Sequence, residues 1–165
     1  MLDGGRHERS RRAGTENVPG IVGLGKAAEL ARNGLVQGED RNLVAMRDRI
    51  EAALLRMEFS GVNGNSAPRV PNTTNLYFDS IEGESLVIAL DLKGLAVSTG
   101  AACSSGAIEP SHVLTAMGLT ADQARASLRF SVGKQNTDED VELLLGILPE
   151  TVARLRELSP VYNKS

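Results

Sequence analysis

Between Ser127 and Leu155 the sequence changes its period, and that change does most to fix what the chain can fold into. The segment Ser127-Leu-Arg-Phe-Ser-Val132 alternates, so Leu128 and Phe130 belong to one face of a strand, with Arg129 and Ser131 on the other. Beyond Gly133, Thr137 is a good N-cap, and Asp138, Glu139 and Asp140 fill the positive first turn of a helix. Its stripe is Val141, Leu144, Leu148, Val152 and Leu155. A strand and a helix that are each apolar on one side only are stable when they cover one another, which points to a layered α+β domain.

The same patterns extend upstream. Thr74–Asp79 alternates as a strand and Leu95–Ser98 reads as another, giving three with Ser127–Val132. Past Pro19, the residues Ile21, Val22, Leu24, Ala28, Leu30 and Ala31 form a helix face that Asn33-Gly34 should stop. Asp40 is a candidate N-cap for a second helix carrying Leu43, Met46, Ile50, Leu54 and Met57. Glu82–Ala89, Ser111–Met117 and Ala121–Ala126 read as short helices, and Ser60–Asn65 as a loop by composition. The expected fold is α+β: a small three-stranded sheet covered by helices on one face. Apolar helix faces around Ile21, Val22 and Leu24, and around Leu43, Ile50 and Leu54, are expected to be left uncovered.

Composition removes several classes of function. Two Tyr, three Phe and no Trp leave an aliphatic core and no aromatic platform for single-stranded nucleic acid. A net charge of −3 with both signs interspersed gives no general attraction to nucleic acid. No apolar run approaches the roughly 18 residues of a membrane span. The single cysteine forbids an internal disulfide, and with only Cys103, His7 and His112 as soft or imidazole ligands a cysteine-rich zinc site is excluded, so no metal is expected. The arginines near the N-terminus are mixed with Asp3, Glu8 and Glu16 and lack an apolar h-region. That is unlike a targeting segment, and a cytoplasmic location is expected.

Three places carry chemistry. Ser98–Ala107 holds no side chain larger than Thr or Cys, so it cannot anchor itself by packing and reads as a loop presenting the Cys103 thiol. A small buried cysteine is the plain alternative. A Cys-His hydrolase dyad using His112 or His7 lacks a visible third group. Arg129, on a rigid strand, suits bidentate recognition of a carboxylate, although an exposed strand arginine fits the pattern as well. The Gly/Arg arm that runs into the first helix reads either as a solvated arm or as a phosphate grip centred on Thr15.

The strings GGRHERSRRAGTENVPGIVG, VSTGAACSSGAIEPSHVLTAMGL and ASLRFSVGKQNTDEDVE, in that order from Gly4 onward, resemble the C-terminal part of a group I cysteine desulfurase. These are pyridoxal-phosphate enzymes of the class V aminotransferase family. The resemblance implies the C-terminal small domain of a fold type I pyridoxal-phosphate enzyme. Residues 1–18 would form the edge of its large domain, residues 19–165 the small domain, and 98–110 the cysteine loop. It implies that Cys103 takes the sulfur of L-cysteine as a persulfide, releasing L-alanine, for iron-sulfur cluster assembly or tRNA thiolation. Arg129 would bind the substrate carboxylate, and Thr15 the cofactor phosphate across a homodimer. The partners implied are L-cysteine and a sulfur-acceptor or iron-sulfur scaffold protein. The family's Schiff-base lysine follows a histidine, and none of Lys26, Lys93, Lys134 and Lys164 does. The expectation is therefore a desulfurase segment whose activity needs more than this chain. The alternatives are a non-enzymatic sulfur-carrier or interaction domain and a truncated inactive fragment.

Overall fold

The computed structural model describes residues 4–9, 11–99, 109–160 and 162, in two compact units that divide between Glu39 and Asp40.

In the first unit the arm is a hairpin of β1 (Arg6–His7) and β2 (Arg12–Ala13), with His7 opposite Arg12. Nothing in the arm's composition signals these two-residue strands. Helix α1 (Val18–Gln37) follows, capped by the Asn17 side chain, which accepts from the Gly20 amide at 3.1 Å. It does not stop at Asn33-Gly34 as expected. Glycine inside a helix costs about 1 kcal/mol but leaves every hydrogen bond possible. The terminator is Gly38, whose φ of 72° lies in the left-handed region and whose amide reaches back to Gly34 and Leu35. Ile21, Val22 and Leu24 are 59 to 72% exposed.

The second unit is a three-stranded antiparallel sheet in the order β3 (Ser60–Val62), β4 (Thr73–Phe78), β5 (Ser127–Ser131). Its helices are α2 (Asp40–Leu54), α3 (Gly83–Asp91), α4 (His112–Ala116), α5 (Ala121–Arg125) and α6 (Asp138–Leu158). The number of strands is as expected, but one differs in identity. Ser60–Val62, a loop by composition, pairs Ser60 with Phe78 and Val62 with Leu76 as an edge strand. Leu95–Ser98, expected as a strand, contributes one bridge, Ser98 to Arg129. Short, weakly patterned segments take their state from what lies alongside, so pairing overrides their composition.

Thr74, Leu76 and Phe78 of β4, with Leu128 and Phe130 of β5, form the buried face of the sheet. Against it lie Ile50 and Leu54 of α2, Leu86 and Leu90 of α3, and the α6 stripe Val141, Leu144, Leu148 and Val152. The expectation that the α2 face would be uncovered is overturned, because Ile50 and Leu54 are 2% and 0% exposed and Leu43 packs on the same core. With only three strands, the sheet is narrow enough for α2, α3 and α6 to enclose one side. Its other side is left to polar groups.

Polar ties fix the helices to strand ends. Glu51 of α2 accepts both arms of Arg69 at 2.7 and 3.1 Å and the Thr74 hydroxyl at 2.7 Å. Arg156 of α6 is buried and donates to the Asp79 and Phe59 carbonyls at 3.2 and 3.0 Å, with its guanidinium against the Phe59 and Tyr162 rings.

Candidate substrate-binding face

The side of the sheet away from the core carries the chemistry. Antiparallel pairing sets Asn75 directly opposite Arg129, and Tyr77 opposite Ser127. Residues opposite one another share a face, with Cβ atoms about 4.5 to 5.5 Å apart. Arg129 is exposed, and among the described residues no hydrogen bond or ion pair engages its guanidinium. The backbone beneath it is rigid: its amide donates to the Ser98 carbonyl at 2.6 Å, and its carbonyl accepts from the Ser98 amide at 3.3 Å.

That bridge matters for the second candidate. Cys103 lies outside the described residues, but Ser98 is the first residue of the small-residue run that contains it. The chain therefore departs toward Cys103 from the backbone of Arg129 itself. Gly83, at the start of α3, holds the same corner closed. A Cβ there would stand 2.5 Å from the Arg125 carbonyl oxygen, 3.2 Å from Thr99 Cγ2 and 3.3 Å from the Ser127 carbonyl oxygen. Only glycine allows so close an approach.

A network that the sequence reading missed supports the face. Asn63 and Ser127 are 6% and 0% exposed. The Asn63 amide donates to Asn75 Oδ1 at 2.5 Å and to Ser127 Oγ at 3.1 Å, and Ser127 donates to the Gln123 carbonyl at 2.7 Å. The only signals in the sequence were an asparagine at an outward strand position and another in the loop-like SGVNGN stretch. Neither is distinctive without the register.

In the first unit, Thr15 is exposed and follows Gly14, whose φ is 86°. The turn is held by Arg12, which donates to the Gly14 carbonyl at 2.6 Å and to Glu16 at 3.2 Å, while His7 Nδ1 lies 3.3 Å from the same carboxylate. Glu16 is held below the ordinary carboxylate range, first by a backbone hydrogen bond and then by His7 and Arg12 beside it. Part of the donor set at the start of α1 is already used. The Val18 amide is taken by the Glu16 carbonyl and the Gly20 amide by Asn17, and Pro19 has no amide proton. Among the donors that the arm offers an anion is the Thr15 hydroxyl, without a partner among the described residues. A hydroxyl beside a charge-compensated Glu16 fits one oxygen of a phosphate.

Other sites are less developed. His112 is exposed at the start of α4, and no group of residues suited to hold a metal occurs among the described residues. No helix there is long and apolar enough to cross a membrane. A cavity of about 1060 Å³ is lined by Phe59, Asp79, Glu82, Asp122 and Leu155, with the Asp79 carboxyl pushed up by burial against the pull of Arg156.

Comparison with known proteins bears on which of these sites matters. The aminotransferase class-V family model matches residues 5–144, a span that includes the arm, the network and Arg129. The chain belongs to the class-V aminotransferase family. Over 99% of its length this class-V chain is 49% identical to cysteine desulfurase IscS of Methanosarcina thermophila, and 48% identical to a cysteine desulfurase of Gluconacetobacter diazotrophicus. It spans about 40% of the length of these relatives. Its fold matches a NifS-like protein from Rickettsia africae with a TM-score of 0.80 at 30% identity, covering 93% of this chain and 39% of the other. Another NifS-like protein matches with a TM-score of 0.77 at 31% identity.

Proposed function

We propose that this class-V chain is the C-terminal part of a pyridoxal-phosphate-dependent cysteine desulfurase, converting L-cysteine to L-alanine and passing the sulfur on as a persulfide. The observation that carries the proposal is the bridge between Ser98 and Arg129. It places the root of the Cys103 segment on the strand whose guanidinium suits a carboxylate. Similarity to cysteine desulfurases over 99% of the chain supports it.

Arg129 holds the substrate carboxylate through its planar fork and so orients the substrate side chain. Thr15 contributes a hydroxyl to the cofactor phosphate, in a homodimer where the arm serves the other subunit's site. When bound, pyridoxal phosphate supplies an electron sink for the amino acid's carbon skeleton. Cys103 acts as the thiolate, the nucleophilic form of the thiol. Its sulfur bonds to the substrate sulfur as the carbon–sulfur bond breaks. The electron pair of that bond leaves with carbon, and a proton completes the methyl group of alanine. The outer persulfide sulfur then goes to an acceptor or scaffold protein for iron-sulfur assembly or tRNA thiolation, in the cytoplasm.

A chimera tests this: residues 4–160 replace the matching C-terminal part of the Methanosarcina thermophila desulfurase. Alanine release and one extra sulfur on Cys103, read by mass spectrometry, are the expected results. Cys103→Ser should abolish the persulfide. Arg129→Lys keeps the charge but loses the fork, and should raise KM for cysteine about tenfold or more. A chimera that forms persulfide equally well with Cys103→Ser would overturn the assignment.

A further inference from the structure

The directions of the hydrogen bonds behind Arg129 can be followed atom by atom. The Gln123 carbonyl can only accept, so the Ser127 hydroxyl proton is committed to it. Ser127 Oγ is left as an acceptor, and the group facing it must be the Asn63 NH2. The second proton of that NH2 goes to Asn75, so the Asn75 atom facing Asn63 is the carbonyl oxygen. Asn75 is thus fixed with its own NH2 turned away from Asn63. Among the described residues that NH2 has no acceptor. It lies on the face that Asn75 shares with Arg129, its cross-strand partner.

We propose that Asn75 is a second carboxylate-binding residue beside Arg129, with Asn63 and Ser127 as the positioning residues that aim its amide. This rests on the assignment of Arg129 to the substrate carboxylate. An α-amino acid carboxylate offers more lone pairs than one guanidinium fork uses, and a neutral amide supplies a further donor without adding charge. The pair matches a single negative charge, so the site selects a monocarboxylate over inorganic phosphate.

The test uses the isotopically labelled full chain and L-alanine, which carries the substrate carboxylate without the thiol. The Arg129 Nε–H and Asn75 Nδ2 signals in NMR spectra should shift together and saturate with one Kd, while inorganic phosphate competes weakly. Asn75→Leu should raise that Kd about tenfold or more, the usual scale for a hydrogen bond to a charged group. Asn75→Asp, of the same shape, still accepts from Asn63 but cannot donate. It should lose alanine binding with the fold's core methyl signals unchanged. Ser127→Ala should weaken binding and split or broaden the Asn75 amide signals, since the chain of donors then has no anchor. A saturable shift at Arg129 whose Kd is unchanged in Asn75→Leu, or still Asn75 signals beside moving Arg129 signals, overturns the role of Asn75 and leaves that of Arg129 standing. No saturable shift at Arg129 overturns both.

Discussion

Replacing Gly83 by alanine tests the corner on which the candidate site depends. The new methyl would stand 2.5 Å from the Arg125 carbonyl oxygen. Backbone must move by roughly 1 Å to restore a normal contact. Thr99 Cγ2 and the Ser127 carbonyl oxygen, at 3.2 and 3.3 Å, restrict the directions in which α3 can retreat. Overpacking of this kind costs about 1 to 3 kcal/mol, and alanine's better helix propensity returns at most about 1 kcal/mol. A net loss of about 1 to 2 kcal/mol lowers the Tm of a chain this long by about 2 to 8 °C. Gly25→Ala is the control, since a methyl there meets nothing within 4 Å inside α1, and it should leave Tm level or slightly raised. Thermal unfolding followed by circular dichroism reads both. A Gly83→Ala chain as stable as the wild type would refute the close approach of α3 to β5.

Two further outcomes follow from the polar ties. Glu51 is held below its ordinary pKa of 4.5 chiefly by its Arg69 hydrogen bonds, and also by Thr74, so its contribution is full above that value and fades as pH falls through the lowered one. Glu51→Gln should cost about 1 to 3 kcal/mol near pH 7, and urea unfolding curves of the two proteins should draw together as pH falls below 4.5; a pH-independent gap would contradict this. Arg156→Leu strips two carbonyls of their donor and should cost about 2 kcal/mol or more. Arg156→Lys should fall between it and the wild type in Tm, and a Leu variant of native stability would show that water replaces the guanidinium.

The parts of the fold readable in the sequence are those where period and burial agree. The α6 stripe and the alternation of β4 and β5 each put apolar residues on one side, and the structure buries those sides together. The misread segments are short. Ser60–Val62 is a strand only because β4 lies beside it, and Leu95–Ser98 meets β5 at one point only. Gly34 reads as a stop although the positive φ that ends α1 belongs to Gly38. Arg129 was legible as an outward residue on a strand. Asn63, Asn75 and Ser127 were not, because their link is a matter of register between segments 12 and 64 residues apart.

The Ser98–Arg129 bridge also sets a radius. Cys103 lies five positions beyond Ser98, and a fully extended chain gains at most about 3.6 Å per residue. Whatever path the segment takes, the Cys103 backbone stays within about 18 Å of the Ser98 backbone. Under the proposed function this tether is a geometric limit on delivery. An acceptor protein has to bring its receiving thiol inside that sphere, so competing acceptors are forced to take turns over one patch of surface.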